Sequence, residues 1–217
     1  RRARLFLGVG LIGVFAFGSQ LTVVDSLVRD TFPRAMGGGT GVEGTAYLSA
    51  ANVSLERTVV ERSTVCGGWA YTSDLALSSV TVRDVSGPDG LGMGIQAFVE
   101  VPGFDTPTLS VTASLIERAR LAGIALAGVE GEIVDTVVRD IIRAEMLGRG
   151  EGIAAVPSPV TADPSHAIIR GVRIDDATEV GLGIVGSYAE LDEDYVRDPR
   201  AIDGHYGAGV VFHVATF

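Results

Sequence analysis

A chain of 217 residues with 47% hydrophobic and 20% charged residues is long enough to bury a core and is not a disordered segment. Its formal net charge is −10 and its 17 basic residues are all arginine, so it has too little positive charge to neutralise a nucleic-acid backbone. The only cysteine, Cys66, excludes an intrachain disulfide bond and is expected to be a small buried side chain.

The first apolar segment of the chain has two interpretations. Arginines within residues 1–4 precede an apolar run over residues 5–17, which resembles a secretory signal segment. This run is too short to span a bilayer, so no transmembrane segment is predicted. However, residues 13–30 align without gaps on residues 123–140. The alignment favours the interpretation that the apolar run is one unit of an internal repeat.

One recurring element is an aliphatic residue followed by two charged residues. The aliphatic anchors are separated by 32, 22, 34, 22, 36 and 22 residues, so long and short units alternate. Five residues before each anchor stands another aliphatic residue. The anchors are Val28, Val60, Val82, Ile116, Val138, Ile174 and Val196.

A second recurring element is a glycine followed by the start of an apolar strand. It occurs at Gly13, Gly41, Gly68, Gly94, Gly123, Gly152, Gly183 and Gly209. Short β-branched segments of period two, separated by glycine turns, cannot bury one face alone, but they bury a continuous core when stacked at about 4.8 Å per rung. The pattern predicts an all-β fold, a right-handed parallel β-helix of about seven or eight rungs that alternate in length.

The repeat resembles that of the right-handed parallel β-helix proteins of the pectate-lyase-like superfamily. The resemblance extends from about residue 5 to residue 217 and implies one solenoid domain over residues 1–217, a fragment of a longer solenoid. It also implies a bacterial protein that is secreted or displayed at the cell surface. An open sheet edge invites aggregation, so we expect further rungs or a capping partner at both ends.

The charged pairs after the anchors form two columns. The first members alternate in sign at every rung, and the second members alternate until Asp140, after which three acids are stacked. Stacked carboxylates raise one another's pKa or bind a cation such as Ca²⁺. This predicts a calcium site formed by Asp140, Asp175, Asp176 and Asp198. The alternative is that Arg170, Arg173 or Arg197 neutralises these acids.

A few further residues are candidates for chemistry. With Asp140, Asp176 and Asp198, the loop residue His205 completes the set of candidate catalytic residues. The sequence Gly204-His205 faintly resembles a motif of polygalacturonases. The Asn-Thr-Asp motif and the lysine of that family are absent from this sequence. Loops at 31–40, 85–93, 141–151 and 199–208 recur on every second rung, and a second group spans 99–108 and 155–166. Exposed binding candidates in these loops are Phe32, Arg34, Asp89, Arg149, Glu151, Asp203, His205 and Tyr206.

Two function classes remain open from the sequence. The first is a non-catalytic extracellular or cell-surface module that binds a polysaccharide or cell-surface glycan, or has a structural or adhesive role. The second is a polysaccharide hydrolase or lyase that uses the stacked aspartates, with carboxylate spacing near that of inverting glycosidases. Aromatic residues make up only 6% of the chain, so no long sugar-stacking platform is expected. No cofactor is required by either class.

Overall fold

The structure is a computed structural model that describes residues 6–7, 12–32, 39–87, 92–144, 148–200 and 207–213. These residues form strands and turns, with no helix among them. Accordingly, the described ranges contain no helix of the length and apolarity needed to cross a membrane.

The strands form three sheets, each made of strands three apart in chain order. The first sheet contains β1 (Phe6–Leu7), β4 (Leu27–Thr31), β7 (Val59–Ser63), β10 (Thr81–Val85), β13 (Leu115–Ala119), β16 (Val137–Arg139), β19 (Arg173–Asp175) and β22 (Tyr195–Arg197). The second sheet contains β2 (Ile12–Phe17), β5 (Thr40–Thr45), β8 (Cys66–Tyr71), β11 (Met93–Phe98), β14 (Leu121–Ala127), β17 (Gly150–Val156), β20 (Glu179–Val185) and β23 (Ala208–His213). The third sheet contains β3 (Gln20–Val24), β6 (Asn52–Glu56), β9 (Asp74–Ser78), β12 (Thr108–Thr112), β15 (Glu130–Val134), β18 (His166–Arg170) and β21 (Tyr188–Asp192).

Strands pair in parallel with the strand one rung away, which confirms the right-handed parallel β-helix. The anchors predicted from the sequence pair in register from Val28 through Val196. Their side chains are at most 2% exposed from Val28 to Ile174. The aliphatic column five residues earlier also pairs in register, from Val23 to Leu191. The repeat therefore sets both the register and the core.

The core is a column of stacked aliphatic layers, and it is open at the last rung. Ile169 and Ile184 are 1% and 2% exposed, whereas Leu191 and Phe212, their partners one rung later, are 41% and 60% exposed. That further rungs or a capping partner cover this end stays a prediction.

A column of glycines lines the boundary between the first and second sheets. A Cβ atom on Gly41, Gly67, Gly123 or Gly152 would lie 2.5–2.6 Å from the carbonyl oxygen of the next glycine in the column, and it would also meet the anchor side chain of its own rung. The column passes through Gly67 and Gly181. The repeat glycines predicted at Gly68 and Gly183 therefore lie one and two residues after the glycines that occupy the column.

The longer loops predicted from the sequence border alternate strands of the second sheet. Connections 32–39, 86–92 and 140–149 lead into β5, β11 and β17, and connections 46–51, 99–107 and 157–165 leave the same strands. The intervening strands β8, β14 and β20 have connections of one to three residues at both ends. The outer face of the second sheet thus lies between two rows of longer loops, where binding sites on rigid scaffolds are usually built.

Candidate functional site

The first members of the charged pairs form a ladder on the first sheet. Arg29, Glu61, Arg83, Glu117, Arg139, Asp175 and Arg197 pair in register, with alternating sign at each step. The second member of each pair has a positive φ of 52–59°, so it turns the chain out of the first sheet. The alternation therefore places opposite charges on adjacent rungs along one edge of the solenoid.

The carboxylates of this ladder are buried between arginines. The Glu117 side chain is 5% exposed and lies 2.5 Å from Arg139 and 2.6 Å from Arg118. Glu61 has the same arrangement with Arg62 and Arg83, both at 2.6 Å. Burial alone would raise the pKa of each carboxyl, but the guanidinium hydrogen bonds outweigh it and lower both pKa values. The ladder therefore stabilises the fold and favours this register of the strands in the first sheet.

Acidification is expected to weaken this ladder. Since the folded pKa values of Glu61 and Glu117 lie below the unfolded value of about 4.3, the unfolded chain binds more protons than the folded chain in this range. The stabilisation is complete above that unfolded pKa and is lost as the pH falls through the lowered folded values. In urea melts over this range, a double variant Glu61→Gln, Glu117→Gln should lose less stability on acidification than the wild type. The control Asp105→Asn, in an exposed loop, should lose stability on acidification as the wild type does. Equal slopes of unfolding free energy against pH for all three proteins would contradict the stabilising role of Glu61 and Glu117.

The stacked aspartates are paired with arginines at the place where the alternation fails. Asp175 is buried and lies 2.6 Å from Arg173 and 3.2 Å from Arg197. Arg200, which lies outside the predicted columns, reaches Asp176 at 3.0 Å.

Each of the other two aspartates of this set lies near the arginine that directly precedes it in the chain. Asp198 lies 3.5 Å from Arg197, and Asp140 lies 3.9 Å from Arg139. Among the described residues, no three His, Cys, Asp or Glu side chains are grouped so that they could hold a metal ion. The geometry therefore favours the alternative in which arginines neutralise the acids, and calcium binding stays a prediction.

The other candidates are dispersed. His205, Tyr206, Asp203, Arg34 and Asp89 lie outside the described residues. Phe32 is 53% exposed at the end of the first-sheet strand β4. Arg149 and Glu151 lie at the start of β17, where burial raises the pKa of Glu151 despite the nearby Arg149.

A shallow depression of about 550 Å³ lies on the outer face of the third sheet. His166, Tyr188 and Glu190 line it, with His166 Nε2 3.5 Å from Glu190 Oε1. It is open and carries a single aromatic ring, so it is a weaker candidate than the second sheet.

The outer face of the second sheet carries an aromatic strip that sequence reasoning missed. Phe15, Glu43, Trp69 and Gln96 occupy one outward column over four rungs, and Phe17, Thr45, Tyr71 and Phe98 occupy the next. Tyr47, in the loop after β5, joins them. The aromatic strip consists of Phe15, Phe17, Tyr47, Trp69, Tyr71 and Phe98.

The rings of the strip contact one another in two groups. In the first group, Phe17 stacks on Tyr47 with centroids 4.6 Å apart and lies 5.8 Å from Phe15. In the second group, Trp69 stacks on Tyr71 at 4.5 Å, and Phe98 meets Tyr71 edge-on at 4.6 Å. Phe15 and Phe17 are each 48% exposed and Tyr47 is 62% exposed. Phe15, Phe17 and Tyr47 thus form an exposed apolar patch, a kind of surface that is common at interaction sites.

Polar groups lie between the rings. Trp69 Nε1 and Gln96 Oε1, on neighbouring strands, are buried atoms with no hydrogen-bond partner. Glu43 accepts a hydrogen bond from the Thr45 hydroxyl at 3.1 Å. Burial raises the pKa of Glu43, with a further contribution from the charge of Glu100, and burial and the same two acids raise the pKa of Tyr71. The face thus combines ring surfaces with a few polar groups, the usual composition of a small-molecule or saccharide site.

No model of a known protein family matches the chain, and no curated protein is significantly similar to it. The structure supports the parallel β-helix fold, and fold alone does not determine function.

Proposed function

We propose that the chain is a non-catalytic extracellular or cell-surface module that binds a glycan on the outer face of its second sheet. The observation that carries this proposal is the aromatic strip, which extends over strands β2, β5, β8 and β11 between two rows of longer loops. Structural or adhesive roles would use the same contact with surface polysaccharide.

The composition of the strip suits a sugar. Aromatic rings offer large, rigid apolar surfaces on which the C–H faces of sugar rings can pack with little loss of side-chain entropy. Glu43 and Thr45, which lie between the rings, supply polar groups that can hydrogen-bond to sugar hydroxyls. The regular rung spacing of about 4.8 Å suits an extended, repetitive ligand.

The alternative, a polysaccharide-degrading enzyme that uses the stacked aspartates, has less support. A general acid and a general base need carboxyls that are free to exchange protons with substrate. Asp175 and Asp176 instead form ion pairs with Arg173, Arg197 and Arg200. Each of these two carboxylates is therefore engaged by at least one guanidinium group.

Replacing Trp69 with alanine is expected to weaken glycan binding about thirtyfold, because a central tryptophan contributes about 2 kcal/mol or more to such contacts. The ligand would first be selected on an array of neutral, acidic and amino glycans and its affinity measured by isothermal titration calorimetry. The matched control is Tyr188→Ala, which removes an exposed ring from the third sheet and should leave the affinity unchanged. Equal affinities for both variants would reject the strip as the binding surface, and release of new reducing ends would reject a non-catalytic role.

A further inference from the structure

A negative charge lies at the centre of the aromatic strip, and no residue that the structure describes forms an ion pair with it. Glu43 is the register partner of Phe15 on one side and of Trp69 on the other, so its carboxylate lies among the rings. Glu100, in the connection after β11, donates its backbone N–H to Thr72 Oγ1 at 2.9 Å and so lies beside Tyr71, and its charge contributes to the raised pKa values of Glu43 and Tyr71. Two carboxylates therefore share one aromatic surface.

Basic residues are missing from the four strands of this face and from the connections that follow them. The strands β2, β5, β8 and β11, with the connections 18–19, 46–51, 72–73 and 99–107 that follow them, contain no arginine, and the chain contains no lysine. The contrast with Glu61 and Glu117 is direct, since two arginines neutralise each of those. The partial burial that raises the pKa of Glu43 is accordingly not offset by a cation from the described chain.

A protonated amine is the group that this surface complements. An ammonium is attracted to the faces of tryptophan, tyrosine and phenylalanine rings and, more strongly, to partly desolvated carboxylates. A uronate carboxylate at the same place would meet two like charges, and the strands of this face carry no arginine to offset them. Neutral sugars would gain the stacking but not the charge interaction.

We propose that Glu43 and Glu100 make the aromatic strip select glycans that carry protonated amino groups, such as chains of glucosamine with free amines, over neutral and acidic glycans. This inference rests on the glycan-binding function proposed above. The rings supply sugar stacking, and the two carboxylates supply the discrimination between sugar classes.

The test compares three oligosaccharides of equal length by titration calorimetry on the wild-type chain: glucosamine, N-acetylglucosamine and galacturonic acid oligomers. We expect the glucosamine oligomer to bind at least about tenfold more tightly than the N-acetylated one, and the galacturonate oligomer to bind least. The affinity for the glucosamine oligomer should fall with added salt, because the pairing of its amines with the two carboxylates is electrostatic.

The variants Glu43→Gln and Glu100→Gln separate the inference from the function on which it rests. Each should lose about tenfold in affinity for the glucosamine oligomer and keep its affinity for the N-acetylated one, whereas Glu190→Gln on the third sheet should change neither. If the N-acetylated oligomer binds as tightly as glucosamine and Trp69→Ala abolishes both, the amine selectivity is wrong and the glycan-binding function stands. If neither oligomer nor any arrayed glycan binds the wild type, the function itself is wrong. Circular dichroism of each variant excludes misfolding as the cause.

Discussion

Replacing Val82 with aspartate is expected to destabilise the fold by about 4 kcal/mol or more, because the change buries an unpaired charge. Val82 is fully buried and lies in register between Val60 and Ile116 in the anchor column. No arginine can reach an inward-facing carboxylate there without entering the apolar core.

The matched variant Asp84→Asn, two residues later, should cost about 1 kcal/mol or less. The Asp84 side chain is 40% exposed, and its contact with Arg118 at 2.6 Å is one partly solvated member of the ladder. Urea melts of the two variants measure the difference. Similar losses for both would mean that the inward and outward columns are misassigned.

Replacing Gly67 with alanine is expected to destabilise the solenoid by about 3 kcal/mol. A Cβ atom there would lie 2.6 Å from the carbonyl oxygen of Gly94 and would also overlap the Val82 side chain. The oxygen belongs to the backbone of the next rung, so it cannot move without disturbing the strand pairing.

The adjacent Gly68 is the control for this prediction. A Cβ atom on Gly68 would come no closer than 3.6 Å, to Leu75, and its φ is not in the left-handed region. Gly68→Ala should therefore be neutral or stabilise by up to about 1 kcal/mol, since alanine restricts the unfolded chain. Thermal and urea melts that rank the two variants in the opposite order would contradict the observed register.

The fold was largely predictable from the sequence because each rung repeats the same local requirements. The β-branched anchors and the alternating charges are separated by fixed intervals within short rungs, so they identify strand register directly. The glycine column was harder to place. Gly67 and Gly68 are adjacent, and Gly181 and Gly183 flank Leu182, so the pattern alone does not tell which glycine faces the anchor.

The candidate site was not predictable in the same way. Phe15, Trp69 and Phe98 are separated by loops of unequal length, and only the register of the second sheet brings them onto one face. The low aromatic content suggested no platform, yet outward alternation concentrates five of these rings on three strands, and Tyr47 joins them from the loop after β5. Similarly, Arg200 lies outside the repeat columns, so its ion pair with Asp176 could not be inferred from the aligned charges.

Fluorescence of the single tryptophan tests the central claim most directly, because Trp69 lies in the middle of the aromatic strip and no other tryptophan contributes. The wild-type chain would be titrated with an oligosaccharide whose binding calorimetry has established. A glycan that stacks on the strip should change the intensity or wavelength of the Trp69 emission in a saturable manner, with the same dissociation constant as the calorimetric one. Glycan binding that leaves the Trp69 emission unchanged would place the site elsewhere on the solenoid and contradict this account.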